Sequence, residues 1–170
     1  MKTKKNLVLL GMMGAGKTRI GKFVARRLRI KFFDIDKIIE KKNEMKIIEI
    51  FEKKGEAYFR KEEELITIKY LNKKNSIISL GGGAFINEKI RKKVLSKSIS
   101  IWLNVNLDII LSRLKNSKRR PLFNDNNINN IRKIFMERKK TYSLANHEIN
   151  CDKLKPDEIV SKIIRLYEKV

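Results

Sequence analysis

One octapeptide constrains this chain more than anything else in it. Gly11-Met12-Met13-Gly14-Ala15-Gly16-Lys17-Thr18 fits G-x-x-x-x-G-K-[ST] in full. Glycines at these positions let the backbone turn its N–H groups inward around phosphate oxygens. Gly16 then opens a helix, whose N-terminus adds positive potential and free donors. A lysine placed like Lys17 reaches the β- and γ-phosphates, and a hydroxyl like that of Thr18 ligates Mg²⁺. The context agrees. Asn6 to Leu10 is a short apolar run that reads as a buried strand, and residues 16–29 put Ile20, Phe23, Val24 and Leu28 on one helical face. Gly14, Ala15, Gly16, Lys17 and Thr18 are therefore read as a nucleoside triphosphate site, which leaves the acceptor open.

The rest of the chain alternates in the same way. Phe32 and Phe33 end a second apolar segment before Asp34. Residues 38–42, 47–54 and 58–71 read as helices. Residues 77–80 form a strand that stops at Gly81-Gly82-Gly83, and 87–95 a short helix. A strand over 99–103 precedes a helix over 107–115. Residues 118–130, polar and basic, read as a loop. A helix over 131–142, a last strand over 148–150 and a helix from Pro156 to about residue 167 complete the chain. Such alternation argues for one α/β domain over residues 1–170, a parallel sheet with helices on both faces. Ligands bind such sheets beyond the carboxyl ends of the strands. Three strands end there in unusual chemistry: Gly11 onward, Asp34 with Asp36, and the triple glycine.

Each of these carries two readings. Asp34 and Asp36, if extended, point to one side, where one carboxylate serves Mg²⁺ through water and the other orients an acceptor hydroxyl. Alternatively, Asp36 caps a helix. Arg60, in Gly55-Glu56-Ala57-Tyr58-Phe59-Arg60, offers two donors to a ligand carboxylate, or pairs with Glu63 or Glu64 on its own helix. Gly81 to Gly83 give a ligand close approach to backbone N–H groups, or form a plain turn. Arg120 in Arg119-Arg120-Pro121 stabilises a transferring phosphoryl group from a mobile lid over about 115–127, or is one cation of a solvated loop. Arg113 carries the same pair of readings. Spacing alone says little about Arg138.

Composition narrows the class. The 42% apolar share builds a core, the lone Cys151 excludes a disulfide framework, and no apolar run approaches the ~18 residues of a membrane span. The start of the chain lacks the apolar stretch of a signal peptide, so a cytoplasmic location is expected. Lys and Arg number 41 against 19 Asp and Glu, a formal charge of +22. That charge suggests a nucleic-acid partner. Yet 29 Lys, 25 Ile and 15 Asn beside 5 Ala and 6 Val form the mixture that A/T-rich codons produce. The lysines are scattered, and Trp102 lies inside an apolar strand rather than in a nucleic-acid motif. No nucleic-acid partner and no membrane is expected.

Taken in order, the motifs resemble those of the shikimate kinases. The resemblance runs from Asn6 to Tyr142: the phosphate loop, Phe32-Phe33-Asp34-Ile35-Asp36, Gly55 to Arg60, the triple glycine, Arg120-Pro121-Leu122, and Arg138 with Tyr142. It implies a three-layer α/β/α P-loop kinase fold, a central sheet of about five parallel strands, a substrate-binding helical region over about 34–62 and a mobile lid. It also implies ATP- and Mg²⁺-dependent phosphorylation of the shikimate 3-hydroxyl, a step toward chorismate and the aromatic amino acids. By the same resemblance Asp36, Arg60, Gly82 and Arg138 hold shikimate, with Asp36 accepting the hydroxyl proton. Thr18 and Asp34 serve one Mg²⁺ ion, Lys17 and Arg120 stabilise the transferring group, Arg113 contacts the nucleotide, and the protein is a monomer. Ile35 stands where a small or hydroxyl residue is usual, and Phe123 where Leu is usual. A gluconate kinase is the rival enzyme reading.

Overall fold

The computed structural model describes residues 5–115 and 128–169. Five strands form one parallel sheet: β1 (Asn6–Leu10), β2 (Lys31–Asp34), β3 (Ser76–Ser79), β4 (Ser98–Asn104) and β5 (His147–Asn150), in the order β2-β3-β1-β4-β5. The register pairs Leu9 with Ser79 on one side and with Ile101 on the other. Central β1 is the continuous apolar run, and Leu7 to Leu10 are buried on both faces as a central parallel strand requires. Edge strand β2 is only half-buried.

The connections are α1 (Lys17–Leu28), α2 (Ile35–Asn43), α3 (Ile47–Leu71), α4 (Glu88–Lys97), α5 (Leu107–Lys115), α6 (Ile128–Tyr142) and α7 (Pro156–Glu168). The chain leaves β1 toward β2 and leaves neighbouring β3 toward β4, in opposite directions. Right-handed crossovers then put α1 and α4 on opposite faces of the sheet. In keeping with this, α1 packs with α7 and α4 with α3. The opposed departures open a crevice at the carboxyl ends of β1 and β3, where such sheets bind ligands.

Gly21 keeps α1 close to the sheet. A Cβ there would stand 2.4 Å from Cε2 of Phe32 and 3.2 Å from Cδ1 of Leu9. Gly55, with φ 83° and ψ 165°, breaks α3 into the two helices expected over 47–54 and 58–71. No described helix is long and apolar enough to cross a membrane.

Two helices begin three residues earlier than expected. Helix α2 begins at Ile35 rather than Ile38. Asp34 is its N-cap, with its side chain accepting from the backbone N–H of Lys37 at 3.2 Å. Asp34 and Asp36 thus do not share one side of an extended strand. Asp36 sits in the first turn of a helix, and the capping residue is Asp34. Helix α6 begins at Ile128, so the polar stretch over 118–130 does not run as loop to its end. Arg119, Arg120, Pro121, Leu122 and Phe123, with nearly all of the expected lid, lie outside the described residues.

Candidate active site

The loop after β1 is shaped by its glycines. Gly11 has φ 141°, and a Cβ on it would stand 2.7 Å from the carbonyl of Leu103 on β4. Gly16 has φ 93° and nothing within 4 Å of such a Cβ, so its need for glycine is conformational alone. Gly16 is the N-cap of α1, yet no side chain caps that end, and the first turn holds no acidic residue. The leading N–H groups are left for an anion. Lys17 donates from Nζ to the carbonyls of Gly11 at 2.7 Å and Met12 at 3.0 Å, which lays the ammonium across the loop. Arg113, from α5, donates to the Gly14 carbonyl at 2.9 Å. Ala15 is buried beneath the turn.

Thr18 donates its hydroxyl to Oδ2 of Asp34 at 2.5 Å, joining the start of α1 to the end of β2. Among the described residues no cluster of three or more His, Cys, Asp or Glu could hold a metal ion. A hydroxyl beside one carboxylate fits a hard divalent cation that takes most of its oxygens from phosphates and water, as Mg²⁺ does. It does not fit an all-protein metal cage.

The triple glycine after β3 is where Asp36, Arg60 and Arg138, the residues expected to serve an acceptor, meet. A Cβ on Gly81 would lie 2.6 Å from Oδ1 of Asp36 and 2.6 Å from Oε1 of Glu63. On Gly82 it would lie 3.2 Å from Nη1 of Arg138 and 3.6 Å from the backbone nitrogen of Met13 in the phosphate loop. On Gly83 it would lie 2.5 Å from Nη1 of Arg60. Each missing side chain makes room for a charged one. Helix α2 supplies Asp36, α3 supplies Arg60 and Glu63, α6 supplies Arg138, and all converge beside the phosphate loop. Ile35 points elsewhere and is fully buried in the core.

Glu63 is the residue that sequence reasoning passed over as a site group. It was visible only as a partner for Arg60, three positions on. Arg60 does pair on its own helix, donating from Nη1 to Glu63 at 2.7 Å and from Nε to Glu56 at 3.2 Å. But the Glu63 side chain is 3% exposed, so this is an inward pair and not a surface one. Glu64 instead bonds Asn87 and Lys89. Burial pushes the Glu63 carboxyl above its ordinary range; Arg60 and Arg138 oppose the shift and Asp36 adds to it. Burial works against the Arg60 charge, yet Glu63 and Glu56 outweigh it and hold that guanidinium's pKa above the ordinary value. A signal existed in the sequence: an acid one turn from Arg60 on the face of α3 that also carries Phe59 and Ile66 inward.

A further hollow of about 370 Å³ lies at the end of β5, lined by Asn150, Asp152, Lys153, Leu154 and Lys162. Asp152 accepts from the backbone N–H of Asn106 at 2.7 Å, which ties this turn to the start of α5. Arg113 is near enough to Cys151 to oppose the burial that pushes its thiol up to about 11. The buried thiol itself only donates to the Ile149 carbonyl at 3.2 Å and is structural. No sequence motif marked this hollow.

A parallel sheet of this order, a phosphate loop on its central strand, and an acid-and-arginine cluster facing that loop across the crevice define a P-loop kinase, a phosphotransferase with an alcohol group as acceptor. Known proteins narrow this. The family model described as shikimate kinase matches residues 13–168. A shikimate kinase of Sulfurihydrogenibium is 44% identical over 160 residues, 94% of this chain and 96% of that protein. The solved shikimate kinase of Acinetobacter baumannii, in complex with shikimate, superposes with a TM-score of 0.91 at 30% identity, covering 99% of this chain and 95% of that one. That of Aquifex aeolicus gives 0.85 at 36% identity, with 96% of each covered. The chain belongs to the shikimate kinase family.

Proposed function

We propose that this chain transfers the γ-phosphoryl group of ATP to the 3-hydroxyl of shikimate, giving shikimate 3-phosphate and ADP. One observation carries the reading: Asp36, Arg60 and Arg138 converge on the triple glycine, directly across from the Met13 amide of the phosphate loop. Two guanidinium groups suit a ligand carboxylate, and the nearby carboxylate suits a hydroxyl. Arg60 and Arg138 hold the shikimate carboxylate beside Gly82. Asp36 orients the 3-hydroxyl and accepts its proton as the oxygen bonds to the γ-phosphorus. The bond from that phosphorus to the β-phosphate bridging oxygen breaks, and ADP leaves.

Lys17 swings from the Gly11 and Met12 carbonyls onto the phosphates and offsets their growing charge. Arg113 lies along the nucleotide, whose base end reaches the hollow at the end of β5. Thr18 and Asp34 would hold one Mg²⁺ ion, which when bound would offset phosphate charge. Arg120 acts from the lid, outside the described residues. Positioning and charge stabilisation supply most of the acceleration. One copy of the chain brings together every described side chain named, so a monomer suffices for these. The net charge of +22 draws in two anionic substrates at low salt. The test is coupled ADP release with shikimate or gluconate as sole acceptor, with and without Mg²⁺. Release that depends on shikimate and Mg²⁺ is expected; release independent of shikimate, or faster with gluconate, overturns the proposal.

A further inference from the structure

Tyr142 is the one buried polar side chain of α6 that the proposed reaction leaves without a task. It closes α6 and is 2% exposed. Its hydroxyl donates to the carbonyl of Gly82 in a very short contact, and Arg138, one turn earlier, is near enough to act electrostatically on the phenol. The Met12 sulfur lies 3.8 Å from the same oxygen, and the Trp102 ring lies 5.9 Å from the tyrosine ring. One oxygen therefore touches the triple glycine, where Arg138 also lies, and abuts the phosphate loop. A phenol has one proton to give and lone pairs to receive. The bond to Gly82 commits the proton, in one orientation. Burial, opposed by Arg138, pushes the phenol up to about 12, so it stays a neutral donor at any working pH.

We propose that Tyr142 is a positioning residue for the acceptor: its hydroxyl fixes the Gly82 peptide, against which the Arg138 guanidinium rests. The reason is geometric. Gly82 has no side chain to brace it, so its carbonyl needs an external anchor. Arg138 stands on a long, flexible stem, and a fixed Gly82 peptide beside its guanidinium limits that freedom before a ligand arrives. Both groups serve the acceptor in the proposed reaction, on which this inference rests, and neither belongs to the nucleotide half of the site. Loss of the hydroxyl should therefore be felt on one substrate only, although Met12 is adjacent.

Tyr142→Phe keeps the ring and its packing and removes only the oxygen. The expected result is a KM for shikimate about 10-fold higher, with the KM for ATP within twofold of the wild type. A second reading needs no turnover. Trp102, the single tryptophan of the chain, lies beside Tyr142, so its fluorescence reports shikimate binding near it. Titration at 10 °C should show the same 10-fold shift in midpoint. A Tyr142→Phe enzyme with the wild-type KM and midpoint for shikimate overturns the inference. So does one whose KM rises equally for both substrates, because that marks general loosening. Failure of the wild-type enzyme to use shikimate strikes the proposed reaction instead, and the two failures are read in separate arms.

Discussion

Replacing Gly83 by alanine should convert a one-carbon change into loss of an arginine. Gly83 sits at φ −98° and ψ −14°, a conformation that alanine adopts freely, so the backbone need not change. The added Cβ is the difficulty. It would lie 2.5 Å from Nη1, 3.0 Å from Cζ and 3.0 Å from Nη2 of Arg60, inside contact distance of the whole guanidinium. The Arg60 side chain is 36% exposed and ends a flexible stem, so it yields before the loop does. Moving clear by roughly 1 Å breaks its 2.7 Å bond to Glu63 and takes its donors away from the acceptor. Hydrogen bonds to charged groups are worth about 1.5–3 kcal/mol, which corresponds to roughly a 10- to 100-fold rise in the KM for shikimate. The KM for ATP should stay within twofold.

The same change has a pH signature. Arg60 is the chief group holding the Glu63 carboxyl down against burial. Displacing it raises that folded-state pKa further, so the native state holds the proton more tightly than the unfolded chain does. Stability from such a group is present at low pH and is lost as pH rises through the folded pKa. The drop in Tm relative to wild type should therefore be larger at pH 8 than at pH 5. Steady-state kinetics and thermal melts at the two pH values check both parts. A Gly83→Ala enzyme with an unchanged KM for shikimate would show that Arg60 is not held where the acceptor binds. A Tm deficit that shrinks toward pH 8 would refute the account of the buried pair.

Three further changes separate other parts of the site. Asp36→Asn should lower kcat by about 100-fold or more, the scale of a lost general base, while fluorescent-ADP affinity stays within twofold; near-normal turnover would remove Asp36 from its role. Asp34→Asn retains a good capping side chain for α2 but loses the charge, so the fold should hold while the Mg²⁺ concentration for half-maximal rate rises about 10-fold or more; an unchanged Mg²⁺ requirement counts against Thr18 and Asp34 as the ion's site. Gly21→Ala forces the Phe32 ring and Leu9 away from α1 and should cost about 1–3 kcal/mol, lowering Tm by roughly 2–10 °C with kinetic constants unchanged at low temperature; an unshifted Tm would mean α1 tolerates a wider spacing.

Much of this architecture is legible because its signals are local. Lys17 and Thr18 follow a glycine-rich turn between an apolar run and a helical face, and each step needs only neighbouring residues. What strand alternation misreads is the partition of the two aspartates. Alternation treats Asp34 and Asp36 as a strand pair, but the backbone N–H of Lys37 captures Asp34 as a cap and turns the chain into α2 at once. Glu63 was hidden for a related reason. Helical spacing fixes its distance from Arg60, but not that the face they share lies over Gly81 and Gly83.

By itself the sequence determined the phosphate loop, the alternating elements, and which side chains carry acids and bases. It did so because propensity, periodicity and glycine conformation act over a few residues. Tertiary structure alone decided that Asp36, Glu63, Arg60 and Arg138, drawn from three helices, would meet over three glycines opposite Met13. Convergence of that kind depends on strand order and on the opposed crossovers that open the crevice. It is also a matter of tenths of an ångström, since a single Cβ on Gly81, Gly82 or Gly83 would occupy the space in which those charges assemble.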